Sequence, residues 1–194
     1  MKKVENCKAV VIGGSAGSVS VIMQILRSLP TDFHIPVIII IHRQRNVVSE
    51  MAKILSAANP SKKITEPEDK EPVKNDGIYL APQNYHLLIE RNNTFSLDYS
   101  EAVQFSRPSI DVTFESAAKV YKSKLVAILL SGANNDGTAG LQKVIKCKGT
   151  AIVQSPDTAD YTAMPQNAIA ICKGVHILRP AEISSFLTGL QSQS

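Results

Sequence analysis

Five short, strand-like runs rich in apolar residues, set between helical patterns, constrain this chain more than any other feature. The runs cover residues 9–12, 37–41, 125–130, 150–153 and 174–178. Apolar residues recur at helical spacing over residues 19–28, 48–58, 110–121, 139–146, 165–170 and 181–190. A strand with one wet face alternates apolar and polar residues, whereas a strand buried on both faces does not. Val37-Ile38-Ile39-Ile40-Ile41 is of the second kind. The expectation is an α/β fold of three layers, with a mostly parallel, doubly wound sheet between helices.

Residues 63–99 depart from that pattern. Asn75-Asp76-Gly77 is a turn signal before Ile78-Tyr79-Leu80. Leu87-Leu88-Ile89 and Phe95-Ser96-Leu97 follow, separated by Asn92-Asn93. These short strands predict an antiparallel β-hairpin at one edge of the sheet. Residues 66–74 are charged, contain two prolines and predict an exposed loop. Nothing marks a domain boundary, so residues 1–194 read as a single domain, long enough for a substantial core.

Composition excludes several classes. Net charge is +4, from 21 basic and 17 acidic residues spread along the chain, so no dedicated nucleic-acid surface is indicated. No apolar run approaches a membrane span, and the first residues lack the apolar segment of a signal peptide. Cys7, Cys147 and Cys172 are scattered, without metal-ligand spacing. The expectation is a cytoplasmic protein whose cysteines are structural or incidental.

In open α/β sheets, ligands bind beyond the carboxyl ends of the strands. After the first run stands Gly13-Gly14-Ser15-Ala16-Gly17, spelling G-x-S-x-G, the pattern of a nucleophile elbow. His42 follows the second run, and Ser131-Gly132-Ala133-Asn134-Asn135-Asp136-Gly137 follows the third. Three strand ends thus offer a serine, a histidine and an aspartate. A serine hydroxyl needs a base to take its proton, the base needs a carboxylate to fix its tautomer, and the oxyanion needs backbone N–H groups. Ala16 N–H is one candidate donor, and a second lies in the loop of Gly132, Ala133 and Asn134. Residues 13–18 also admit a phosphate-loop reading, although the G-x-G-x-x-G spelling is not clean. The order Ser, His, Asp differs from that of α/β-hydrolases. Ser131 ranks as a rival nucleophile below Ser15; His34, His86 and His176 are weaker candidates than His42.

At this point the residues match a family. The chain resembles the catalytic domain of CheB-type chemotaxis protein-glutamate methylesterases. The resemblance rests on Ile12-Gly13-Gly14-Ser15-Ala16-Gly17, on Ile41-His42, and on Asp76-Gly77-Ile78-Tyr79-Leu80-Ala81-Pro82 with His86-Leu87. It continues with Arg107-Pro108-Ser109-Ile110-Asp111, with residues 131–140, and with Ala163-Met164-Pro165. It implies a triad of Ser15, His42 and Asp136, without cofactor or metal. It implies hydrolysis of glutamate γ-methyl esters on the cytoplasmic helical region of methyl-accepting chemotaxis receptors, releasing methanol, and in some members glutamine deamidation. The alternatives are a non-catalytic module that binds a receptor or nucleotide, or a small-molecule esterase. Ala133 and Asn134 replace the family's usual methionine and glycine, and Arg43-Gln44-Arg45 stands where proline is frequent. The family's N-terminal receiver domain has no counterpart before the first run, so control by phosphorylation within this chain is not expected.

Overall fold

The computed structural model describes residue 4, residues 6–44, residue 47 and residues 49–191. Its strands are β1 (Ala9–Gly14), β2 (Val37–Ile41), β3 (Ile64–Thr65), β4 (Ile78–Leu80), β5 (His86–Ile89), β6 (Phe95–Asp98), β7 (Leu125–Leu129), β8 (Thr150–Gln154) and β9 (His176–Leu178). Its helices are α1 (Ser18–Ser28), α2 (Met51–Ser56), α3 (Ile110–Tyr121), α4 (Thr138–Lys146), α5 (Ala163–Ile171) and α6 (Pro180–Gln191). Seven strands form one parallel sheet in the order β3-β4-β2-β1-β7-β8-β9.

Alternation within β1 explains the three layers. Val10 and Ile12 pack with Ile22, Ile25 and Leu26 of α1 and with Ile183 and Leu187 of α6. Ala9 and Val11 point the other way, toward Ile110 and Phe114 of α3 and Leu141 and Val144 of α4. Both faces of β1 are buried, as the unbroken apolar run requires. Each of the larger side chains contributes roughly 1.5–3 kcal/mol of burial.

The expected parallel sheet and antiparallel hairpin are both present, with one reassignment. Ile78-Tyr79-Leu80 belongs to the main sheet, where β4 pairs parallel with β2 and carries β3 on its outer side. Three residues are too few to show a period, so sequence grouped them with the wrong neighbours. The hairpin is β5 and β6, a two-stranded sheet of its own. It lies on α3, where Thr113 Oγ1 donates to Leu87 O at 2.7 Å and Ser116 Oγ accepts from Ile89 N at 3.1 Å. The loop of residues 66–74 is largely exposed but tied to β6: Lys70 N–H donates to Phe95 O and Phe95 N–H to Glu71 O.

Helix ends shift modestly. α5 begins two residues before Pro165, because a first-turn proline lacks only an N–H that has no helical acceptor. α2 is shorter than residues 48–58, and Val48 lies outside the described residues. β9 is an edge strand with His176 half-buried, not packed into the core.

Strand order places the site. From β1 the chain builds outward through β2 and β4 on one side, then returns to build β7, β8 and β9 on the other. A crevice opens above the carboxyl ends where that order reverses. Ser15 and the loop after β7 lie there.

Candidate active site

Backbone bonds carry the sheet slightly past its strands and bring three strand ends to one rim. Ser15 N–H donates to Ser131 O at 2.9 Å, beyond β1 and β7. His42 N–H donates to Gly14 O at 3.3 Å, beyond β2. Gly13 lies directly beneath α3, where a β-carbon would collide with the Ile110 side chain. The turn into α1 is made at Gly17, with φ 78°. Ser15 is not among the residues with positive φ, so the left-handed strain sits two residues later, on a glycine that tolerates it.

Asp136 is fully buried between α3 and α4. Its Oδ1 accepts from Ser109 Oγ at 2.9 Å, Asp111 N at 2.9 Å and Gly137 N at 3.0 Å. Its Oδ2 accepts from Ile110 N at 2.7 Å and His42 Nε2 at 2.8 Å. The carboxylate therefore occupies the N-terminus of α3, where free amides and the helix dipole favour negative charge. Burial alone would raise its pKa; the bond from His42 and the amides of Asp111 and Ile110 outweigh burial and hold it below the usual value.

That carboxylate fixes the tautomer of His42. An ionised carboxylate only accepts, so Nε2 carries the hydrogen and Nδ1 keeps the lone pair. Ser106 Oγ lies 3.4 Å from Nδ1. In the protease template, aspartate meets Nδ1 and Nε2 serves as base; here the two nitrogens exchange places. The His42 side chain is 12% exposed and opens, with Ser15 and Asn134, onto a cavity of about 370 Å³. Among the described residues no hydrogen bond joins Ser15 Oγ to His42. Catalytic contacts are often long in free enzymes and tighten with substrate.

The oxyanion candidates separate by their bonds. Gly132 N–H is taken by Tyr161 O at 3.1 Å and Ser15 N–H by Ser131 O. Among the described residues, the N–H groups of Ala16, Ala133 and Asn134 have no such acceptor. Asn134 lines the cavity, and its Oδ1 accepts from Asp136 N at 3.2 Å. Ala133 is exposed beside it.

The surroundings of Ser131 weigh against it as a nucleophile. It is fully buried, its Oγ donates to Ala16 O at 2.8 Å, and Tyr161 N donates to that Oγ at 2.9 Å. The phosphate-loop reading also weakens, because the Asp160 carboxylate packs against Gly17 at the start of α1. Of the loop arginines, Arg43 lines the cavity and pairs with Glu66 at 2.8 Å; Arg45 lies outside the described residues.

Sequence reasoning gave no role to Ser106, Ser109, Asp111 or His86. Ser109 binds Asp136 directly, and His86 Nδ1 accepts from Ser109 N at 3.1 Å, bracing it. Asp111 accepts from Gly140 N at 2.7 Å and holds the start of α4. Ser109 and Asp111 stand in the family-like motif Arg107-Pro108-Ser109-Ile110-Asp111, which was their only available signal. A larger cavity, about 1060 Å³, lies between the hairpin and the C-terminal ends of α3 and α4, and none of the candidate residues lines it. No described helix is long and apolar enough to cross a membrane.

Comparison with known proteins gives a consistent result. The family model described as CheB methylesterase matches residues 10–187. A Leptospira interrogans protein, named provisionally as a protein-glutamate methylesterase/protein-glutamine glutaminase, is 43% identical over 97% of both chains. The Thermotoga maritima protein of that name is 34% identical over 84% of this chain, which spans only about half of it, 48%. The crystal structure of the Thermotoga maritima CheB methylesterase catalytic domain superposes with a TM-score of 0.88 at 33% identity, covering 95% of this chain and 98% of that one.

Proposed function

Because the chain belongs to the CheB methylesterase family, we propose that it hydrolyses glutamate γ-methyl esters on the cytoplasmic helices of chemotaxis receptors through Ser15, His42 and Asp136. The observation that carries the assignment of residues is the 2.8 Å bond from His42 Nε2 to buried Asp136, on a cavity that His42 shares with Ser15.

Ser15 Oγ attacks the ester carbonyl as His42 Nδ1 takes its proton. Asp136 holds the ring and stabilises the imidazolium. The N–H groups of Ala16 and of Ala133 or Asn134 are the donors available to the oxyanion. Collapse of the tetrahedral intermediate breaks the bond to methoxide, and the imidazolium proton leaves with it as methanol. Water, deprotonated by His42, then releases the glutamate carboxylate and restores Ser15. The same steps on a glutamine side chain release ammonia, which accounts for the second activity in the relatives' names. No step requires a metal or cofactor.

The test is methanol release from methylated receptor fragments. Wild-type chain should release it and Ser15→Ala should not, while both melt alike. Release that survives in Ser15→Ala removes the assignment.

A further inference from the structure

We propose that Phe105 is a docking finger for the protein substrate, an apolar contact mounted on the rim of the Ser15–His42 cavity and inserted against the helix that carries the ester. This rests on the methylesterase reading above.

The mount is a strained turn. Val103 and Ser106 close it reciprocally, with Val103 N donating to Ser106 O at 3.2 Å and Ser106 N to Val103 O at 2.8 Å. Its two central residues are both left-handed, Gln104 at φ 47° and Phe105 at φ 64°. Two-residue turns of that hand favour Asn-Gly, because a β-carbon meets the backbone there. A bulky aromatic residue is an outlier in such a position.

Such strain persists where the surroundings over-determine it, and it clusters at functional sites. Here three contacts hold the turn. Gln104 Nε2 donates to Asp111 Oδ2 at 3.0 Å. Ser106 Oγ stands beside His42 Nδ1. Arg107 Nη1 donates to Tyr99 O at 2.8 Å and Ser100 O at 2.7 Å, with its guanidinium 4.0 Å above the Tyr99 ring. The turn is thus fastened to the start of α3, to the histidine and to the preceding loop.

What this mount displays is a phenyl ring 97% exposed, lining the cavity that holds Ser15. An exposed apolar side chain ordinarily needs no explanation. One that is strained, fastened and set at the mouth of the site does. Rigid aromatic side chains that fill a pocket on a partner dominate interface energies, and a helix presents such pockets between residues one turn apart. The occupant fitted to this position is the receptor helix on either side of the esterified glutamate. A small ester has no flanking helix to offer the ring.

The experiment compares methylated receptor fragment, followed by methanol, with p-nitrophenyl acetate, followed by p-nitrophenol, using the full chain. Phe105→Ala should raise KM for the fragment by about tenfold, the loss of one hot-spot contact, while kcat/KM for the small ester falls much less. Phe105→Gly should show the same KM defect and yet melt about 2 °C higher, because glycine relieves the left-handed strain. Phe105→Tyr should keep the fragment KM near wild type. An unmoved fragment KM in Phe105→Ala, equal losses on both substrates, or a lower melting temperature for Phe105→Gly would each overturn the inference. If the wild-type chain releases no methanol, the methylesterase reading falls and takes this one with it; an unmoved KM removes this one alone.

Discussion

Asp111 and Asp136 hold the start of each other's helix. Asp136, just before α4, accepts from the amides of Ile110 and Asp111 in the first turn of α3. Asp111, in that turn, accepts from Gly140 N in the first turn of α4. Gly140 also lets the helices approach closely, since a β-carbon there would lie 3.1 Å from the Asp111 backbone. The carboxylate that meets His42 is therefore fixed by the packing of α3 on α4 as well as by its own loop.

The two carboxylates answer pH with opposite sign. Burial raises the Asp111 pKa from 3.8 to about 6; Gly140 N–H offsets part of this, and Asp136 adds to it. A folded value above the unfolded one gives stability that is fully present below the unfolded pKa and lost as pH rises through the folded one. Asp136 is lowered, so its contribution is present above 3.8 and lost as pH falls through its folded value. Asp111→Asn keeps an oxygen for Gly140 N–H and cannot ionise. Its melting temperature, taken relative to wild type at each pH, should climb between about pH 4 and pH 6.5 and level off above. A difference that stays flat across that window contradicts a raised Asp111.

Asp136→Asn should harm catalysis and stability together. Five donors converge on the Asp136 carboxylate, and an amide offers them one oxygen and two hydrogens. With no acceptor at Nε2, His42 loses the tautomer that leaves Nδ1 basic, and kcat should fall by about 10³–10⁴. Stability should fall by about 3 kcal/mol, as when one partner of a buried charged pair is removed. Methanol release and denaturant unfolding read the two effects. Ser15→Ala is the control, matching the loss of activity without the loss of stability.

How much of this was legible in sequence depends on the range of each interaction. The runs at residues 9–12 and 37–41 were legible because a doubly buried strand cannot carry polar residues. Ser15, His42 and Asp136 were legible because the strand-end rule turns position along the chain into position in space. β3, with two residues, carries no period at all, and β4 carries too little to reveal its parallel partner. The roles of Ser109 and His86 stayed hidden for another reason. Their bonds to Asp136 and to each other cross 27 and 23 residues and depend on how α3 docks. The Gln104-Phe105 turn was unreadable because neither residue is a turn former; only the folded backbone shows its hand.

Ser131→Ala separates the rival serine from Ser15. The Ser131 hydroxyl joins Ala16 O to Tyr161 N and so braces the loop after β1 against the loop before α5. Its removal leaves buried polar groups unpaired and should lower stability by about 1–3 kcal/mol. Activity should fall only in part, and a serine-reactive phosphonate should still label Ser15. Loss of labelling in a folded Ser131→Ala chain would reverse the ranking of the two serines.

Gly17→Ala tests whether the Ser15 turn needs glycine for its backbone, for its space, or for both. At φ 78° any β-carbon is strained, by about 1–2 kcal/mol. At Gly17 it would also lie 2.6 Å from Asp160 Cβ and 2.8 Å from Ser131 Oγ. Gly174 supplies the comparison, because its φ is 97° and nothing lies within 4 Å of the added carbon. Gly174→Ala should therefore show strain alone and lower the melting temperature by about 2–6 °C without touching turnover. Gly17→Ala should melt lower still, and it should slow phosphonate labelling of Ser15, because the collision pushes the turn that holds the serine away from Asp160 and Ser131. Equal melting temperatures for the two variants would mean that the space around Gly17 yields freely, and the turn would then owe its shape to backbone conformation alone.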